Sequence, residues 1–71
     1  MAYKGGLPKR KIQSIKNAAL NTRLTMIKLQ LEDMIACDGY KSIEIVVNGG
    51  EIDGYEIYNH ITKTIEEIIF E

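Results

Sequence analysis

The fold turns on the reading of Lys9–Cys37, KRKIQSIKNAALNTRLTMIKLQLEDMIAC. No proline or glycine interrupts it, and Leu20, Leu24, Ile27, Leu31 and Met34 recur at spacings of four, three, four and three. That is the stripe by which one helix packs against another. Ile12, Ile15, Ala19 and Met26 widen the apolar surface beyond what a single partner helix covers. Pro8 suits the first turn of a helix, and Asp38-Gly39 supplies a stop, with Gly39 fitted to a left-handed residue just past the end. One long helix over 9–37 is therefore expected, about 43 Å in length at ~1.5 Å per residue. Residues 1–8, with their Gly5-Gly6 pair, read as a flexible N-terminal lead, and residues 9–71 as a single small α+β domain.

Downstream, Ser42–Val47 alternates Ile43, Ile45 and Val47 with other residues and is rich in β-branched side chains, which predicts a strand. Asn48-Gly49-Gly50 follows as a turn tolerant of positive φ, and Glu51-Ile52 provides a short return strand. Asp53 and Glu56 then have the spacing of a helix-capping box. Ile57, Ile61, Ile65 and Ile68 recur at helical spacing behind it, with Ile69 and Phe70 widening the stripe, and predict a helix over 54–70. The competing reading is a strand over 61–70. The expected architecture is thus a long N-terminal helix, a short β-hairpin and a C-terminal helix.

Charge is divided along the chain. All ten acids follow Leu31 and seven of the nine basic residues precede Glu32, so +7 faces −8 behind a net charge of −1. Such a split suits either a basic arm for a polyanion or two parts meant for each other. The first expected helix begins with Lys9, Arg10 and Lys11 and ends near Glu32 and Asp33, and the second ends near Glu66, Glu67 and Glu71, both against the helix dipole at a cost of about 0.3–1 kcal/mol per exposed charge. Antiparallel packing of the second helix along the first offsets this and leaves the start of the long helix overhanging. Lys9, Arg10, Lys11, Lys16 and Arg23 are then the candidate contacts to a partner or to phosphate.

Seventy-one residues make a marginal core, and the lone Cys37 cannot close an intrachain bridge. Self-association through Leu20, Leu24, Ile27, Leu31 and Met34 is the remaining aid, so a homo-oligomer, most simply a dimer, is expected. The single thiol fits a reducing cytoplasm. No apolar run of about 18 residues and no secretory signal is present, so no membrane association is expected.

No catalytic constellation is legible. His60 stands four residues after Glu56, on one face of the expected helix, but a metal site needs a third ligand and none is spaced for it. The Asn48-Gly49-Gly50 turn lacks the Gly-Lys-Ser/Thr ending of a phosphate loop. No metal and no cofactor is expected. Tyr55 and Tyr58 join large area to a hydrogen-bonding tip and are the candidate partner surface. The functional expectation is a non-enzymatic regulatory or inhibitory protein that binds a macromolecular partner as a homo-oligomer, using the basic helical arm. One alternative is a nucleic-acid-binding protein using the same arm; a protein partner is favoured because the hairpin region is acidic and no helix-turn-helix pair is present. A small-ligand sequestering oligomer is the other.

Overall fold

In the computed structural model, which describes residues 9–36 and 39–71, the segment read as one helix is split in two. Lys9–Ile15 forms strand β1, and helix α1 runs only from Leu20 to Ala36. Between them Asn17 takes φ 56°, a left-handed value that asparagine tolerates. Its amide donates to the Glu71 carbonyl while the Glu71 amide donates to the Ile15 carbonyl, which ties this break to the C-terminus. A helix starting at Lys9 would have left its first four amides without intrahelical acceptors and the facing edge of Thr64–Phe70 bare. The ladder formed instead is parallel, Lys9–Ile15 against Thr64–Phe70, and the sheet overrides local propensity. The expected lead over residues 1–8, and Cys37 and Asp38, lie outside the described residues.

The expected C-terminal helix is also replaced. β2 spans Lys41–Asn48, β3 Glu51–Asn59 and β4 Thr64–Phe70. Gly49 and Gly50, at φ 58° and 82°, make the two-residue turn between β2 and β3, where positive φ at both positions matches strand twist. Asp53 and Glu56 cap nothing, because both lie inside β3. The isoleucines at helical spacing are divided by a turn in which the Asn59 side-chain carbonyl accepts from the amides of Ile61 (2.9 Å) and Thr62 (3.0 Å). Lys63 completes that turn at φ 59°. Isoleucine and phenylalanine lose χ1 freedom in a helix and pack well on a pleated surface, so Ile65, Ile68, Ile69 and Phe70 favour the strand.

The four strands form one mixed sheet in the order β1-β4-β3-β2, antiparallel except for β1 with β4. α1 lies over β2 and β3 on one face. The buried core is Ala18, Ile27, Tyr55, Ile57, Ile68 and Phe70, with the Tyr55 and Phe70 rings 5.9 Å apart. Ile15, Met26, Ile43 and Ile52 pack against it. Val46 pairs with Gly54 but Val47 with Ile52, so Asp53 is the extra residue of a bulge. The bulge resets the two-residue alternation and lets Ile52 and Tyr55 share the helix side. Beside it Gly54 is buried, and a Cβ there would run into the Ile68 carbonyl. No helix among the described residues is long and apolar enough to cross a membrane.

This packing can be probed at two core positions. Gly54→Ala forces β3 and β4 apart and is expected to destabilise the fold by roughly 1–3 kcal/mol, the range for overpacking, read from urea denaturation. Burial, with the Glu66 carboxylate adding to it, holds the Tyr55 phenol above its ordinary value of 10.0. Unfolded chains release this proton first as pH rises, so the folded state binds more protons and loses stability above pH 10, while the contribution is intact below it. Denaturation midpoints measured on both sides of that pH should show this fall, and Tyr55→Phe should flatten it.

Candidate functional site

β1 carries three consecutive basic residues, and alternation along the strand sends them to two faces. Arg10 points to the face away from α1. There its guanidinium meets Glu67 at 2.7 Å and Glu56 at 3.2 Å. The sheet register explains the need for it: Glu44 is opposite Glu56, and Glu56 is opposite Glu67. Three carboxylates thus form a row across β2, β3 and β4, and like charges directly opposite are destabilising. Arg10 bridges two of them.

The basic segment is therefore a sheet edge, not an overhanging helical arm. Lys9 and Lys11 remain exposed on the side of the sheet that α1 occupies, and Lys16 is exposed in the following turn. None of the three forms an ion pair among the described residues. Arg23 lies apart from that edge, turned into the fold. It is half-buried and donates from Nε to the Ala18 carbonyl and from Nη1 to the Ile52 carbonyl, both at 2.8 Å. Its guanidinium lies 5.4 Å from the centre of the Phe70 ring. It fastens the start of α1 to the start of β3.

The two tyrosines part company. Tyr55, only 2% exposed, is a core residue and so forms no surface. Tyr58 is an odd number of residues away on the same strand and lies on the open face, its ring 4.5 Å from that of His60. His60 is not paired with Glu56, which is turned to Arg10; its Nε2 is 3.0 Å from Ser42 Oγ. With Glu44, Glu56 and Ile65 these residues line a shallow hollow of about 300 Å³. Among the described residues no carboxylate hydrogen-bonds the His60 ring, so Ser42 and His60 lack the third group that orients a nucleophile's base. Among the same residues no cluster of three His, Cys, Asp or Glu could hold a metal ion.

The leucine stripe of α1 is divided as well. Ile27 is buried against the sheet and Met34 is half-buried. Leu20, Leu24 and Leu31 stay exposed at 60%, 47% and 41%, joined by Ile35 at 81%, a residue outside the expected set. Its spacing of four from Leu31 was the signal for it. These four form a second row beside the sheet-facing one. Leu31 and Ile35 border a hollow with Gly39 and Lys41 at the start of β2, and Leu20 borders another with Gly50 and Ile52 at the hairpin. The row thus runs alongside β2, whose Ile45 and Val47 are also exposed.

No family model, curated protein or solved structure matches the chain.

The roles of the two arginines are separable by measurement. Removing Arg23 orphans two backbone carbonyls, and charged hydrogen bonds contribute about 1.5–3 kcal/mol, so Arg23→Met should cost near that in urea denaturation. Arg10→Met, half-exposed, should cost about 1 kcal/mol, with the loss shrinking in high salt. Lys16→Ala should stay within about 0.5 kcal/mol of the wild type.

Proposed function

We propose that the protein is a non-enzymatic regulatory or inhibitory protein of the cytoplasm that works as a homodimer and acts by occupying a macromolecular partner. The observation that supports it is the uncovered row Leu20, Leu24, Leu31 and Ile35, four large apolar side chains along one flank of the only helix among the described residues. Single exposed leucines are normal on a monomer, whereas a contiguous row marks a contact surface. A second copy offers an identical row, and two-fold contacts are self-complementary.

Partner capture falls to the β1 edge. Lys9, Lys11 and Lys16 are exposed there without internal partners among the described residues, while Arg10 is held by Glu56 and Glu67. An acidic protein surface is the matching chemistry. A charged rim of this kind speeds encounter more than it deepens affinity. In a homodimer the edge occurs twice, so two weak captures combine into one stronger attachment.

Analytical ultracentrifugation should give a dimer at micromolar concentration and a monomer for Leu24→Glu/Leu31→Glu; a compact wild-type monomer would sink the proposal. Pull-down from native lysate should retain an acidic protein that survives nuclease treatment and weakens for Lys9→Glu/Lys11→Glu. Retention that vanishes on nuclease treatment would instead make the protein a nucleic-acid binder.

A further inference from the structure

We infer that two copies join through β2 as well as α1, the β2 strands pairing antiparallel about a two-fold axis at Ile45 to give one continuous eight-stranded sheet, twice the four strands of one chain; this rests on the homodimer proposed above. The two sheet edges differ in a way that selects β2. β1 presents Lys9, Arg10 and Lys11 in succession, and lysine-rich edges resist pairing with another chain. β2 begins with Lys41, and from Ser42 to Asn48 its one charge is Glu44, among Ile43, Ile45, Val46 and Val47. No strand lies on its outer side among the described residues. A long apolar edge of that kind is where a further strand adds.

Geometry then fixes the register. In an antiparallel pair, directly opposed residues share a face, so a two-fold axis through two copies of one strand must place some residue opposite itself. An axis at Glu44 opposes Glu44 to its own copy, which is destabilising. An axis at Ile45 puts Ile43 against the partner's Val47 and Ile45 against the partner's Ile45, all on the helix side. Glu44 then faces the partner's Val46, and no like charges meet. The paired stretch in this register runs from Ser42 through Asn48, with those two end residues opposite each other's copies.

The helices obey the same axis. The two hollows show that α1 runs opposite to β2, with Leu31 and Ile35 near Lys41 and Leu20 near Gly50. Ile45 is midway between Lys41 and the turn, and the middle of the helical row falls between Leu24 and Leu31. Leu24 is thereby brought to the partner's Leu31, and Leu20 to the partner's Ile35. The spacing agrees too. Strands lie about 4.8 Å apart, and α1 lies over β2 and β3. Its axis is then about 5 Å from the two-fold and about 10 Å from its copy, the upper end of the 8–10 Å at which helices pack. Strand and helix are also matched in length, about 27 Å for eight residues of β2 and about 25 Å for seventeen of α1.

The test is disulfide trapping in a Cys37→Ser background, with folding of each variant checked by circular dichroism. Opposed residues have Cα atoms about 4.5–5.5 Å apart, inside the roughly 4.4–6.8 Å that a disulfide spans. Ile45→Cys should therefore give a covalent dimer under mild oxidation. Val46→Cys should not, because its copy is displaced by two residues along the strand, and Ile12→Cys on the opposite edge should not either. As a measurement free of substitutions, the outward amides of Ile43–Val47 should exchange at least about tenfold more slowly in concentrated than in dilute wild-type protein. A wild-type monomer by ultracentrifugation removes both the homodimer and this inference. A dimer in which Ile45→Cys fails to link, Val46→Cys links in its place, or the β2 amides exchange equally at both concentrations overturns the strand pairing and leaves the homodimer standing.

Discussion

One helix has to cover four strands, and it is too narrow to do so. A helix with its side chains is about 10–12 Å across, whereas four strands at about 4.8 Å spacing need nearly twice that. Because α1 lies over β2 and β3, Lys9, Lys11 and Gln13 on the same face of β1 are left exposed. The buried set follows from the same limit: Tyr55 and Ile57 on β3, Ile68 and Phe70 on β4, and Ile27 as the single buried residue of α1. Arg23 gains its importance here, since a lone helix needs anchoring and its guanidinium reaches the carbonyls of Ala18 and Ile52.

The opposite face is governed by charge. With no second layer over it among the described elements, it tolerates polar side chains, and the register brings Glu44, Glu56 and Glu67 abreast. Water screens part of that repulsion, and Arg10 offsets more by reaching two carboxylates from the outermost strand. The uneven distribution of charge in the sequence is thus partly resolved within the chain. The remaining lysines of β1 and its turn are left for solvent or for something acidic.

Some of this was legible in the residues and some was not. The Gly49–Gly50 turn and the alternation of β2 depend on local preferences, and the chain obeys them there. β1 does not: Ile12 and Ile15 fit the phase of the helix that follows, and what makes Lys9–Ile15 a strand is hydrogen bonding to a segment more than fifty residues away in sequence. β4 was ambiguous for a related reason, because isoleucines at 61, 65 and 68 satisfy a helical period while their β-branching suits a sheet. The mistaken period also misplaced the tyrosines. Residues three apart share a face in a helix, but in β3 Tyr55 goes to the core and Tyr58 to the open face. Arg10 finds its carboxylates 46 and 57 positions away, and no spacing rule reaches that far.

The two sheet edges carry the same tension between stability and specificity in opposite forms. At β1 three adjacent bases make the edge poor for adding a strand, so its exposed backbone is protected by charge while its lysines stay available. At β2 the single charge within Ser42–Asn48, Glu44, does not close the edge; it restricts how the edge can be used. Registers that bring Glu44 toward its own copy add a fourth carboxylate to a row in which Arg10 reaches only Glu56 and Glu67. Moving the axis one residue along relieves that repulsion and sets Ile43, Ile45 and Val47 against one another across the two-fold, on the side where Leu24 and Leu31 are also uncovered. A chain this small gains most from association when the surface that hides its surplus apolar side chains also excludes the wrong alignments, and one glutamate among β-branched residues is enough to do that.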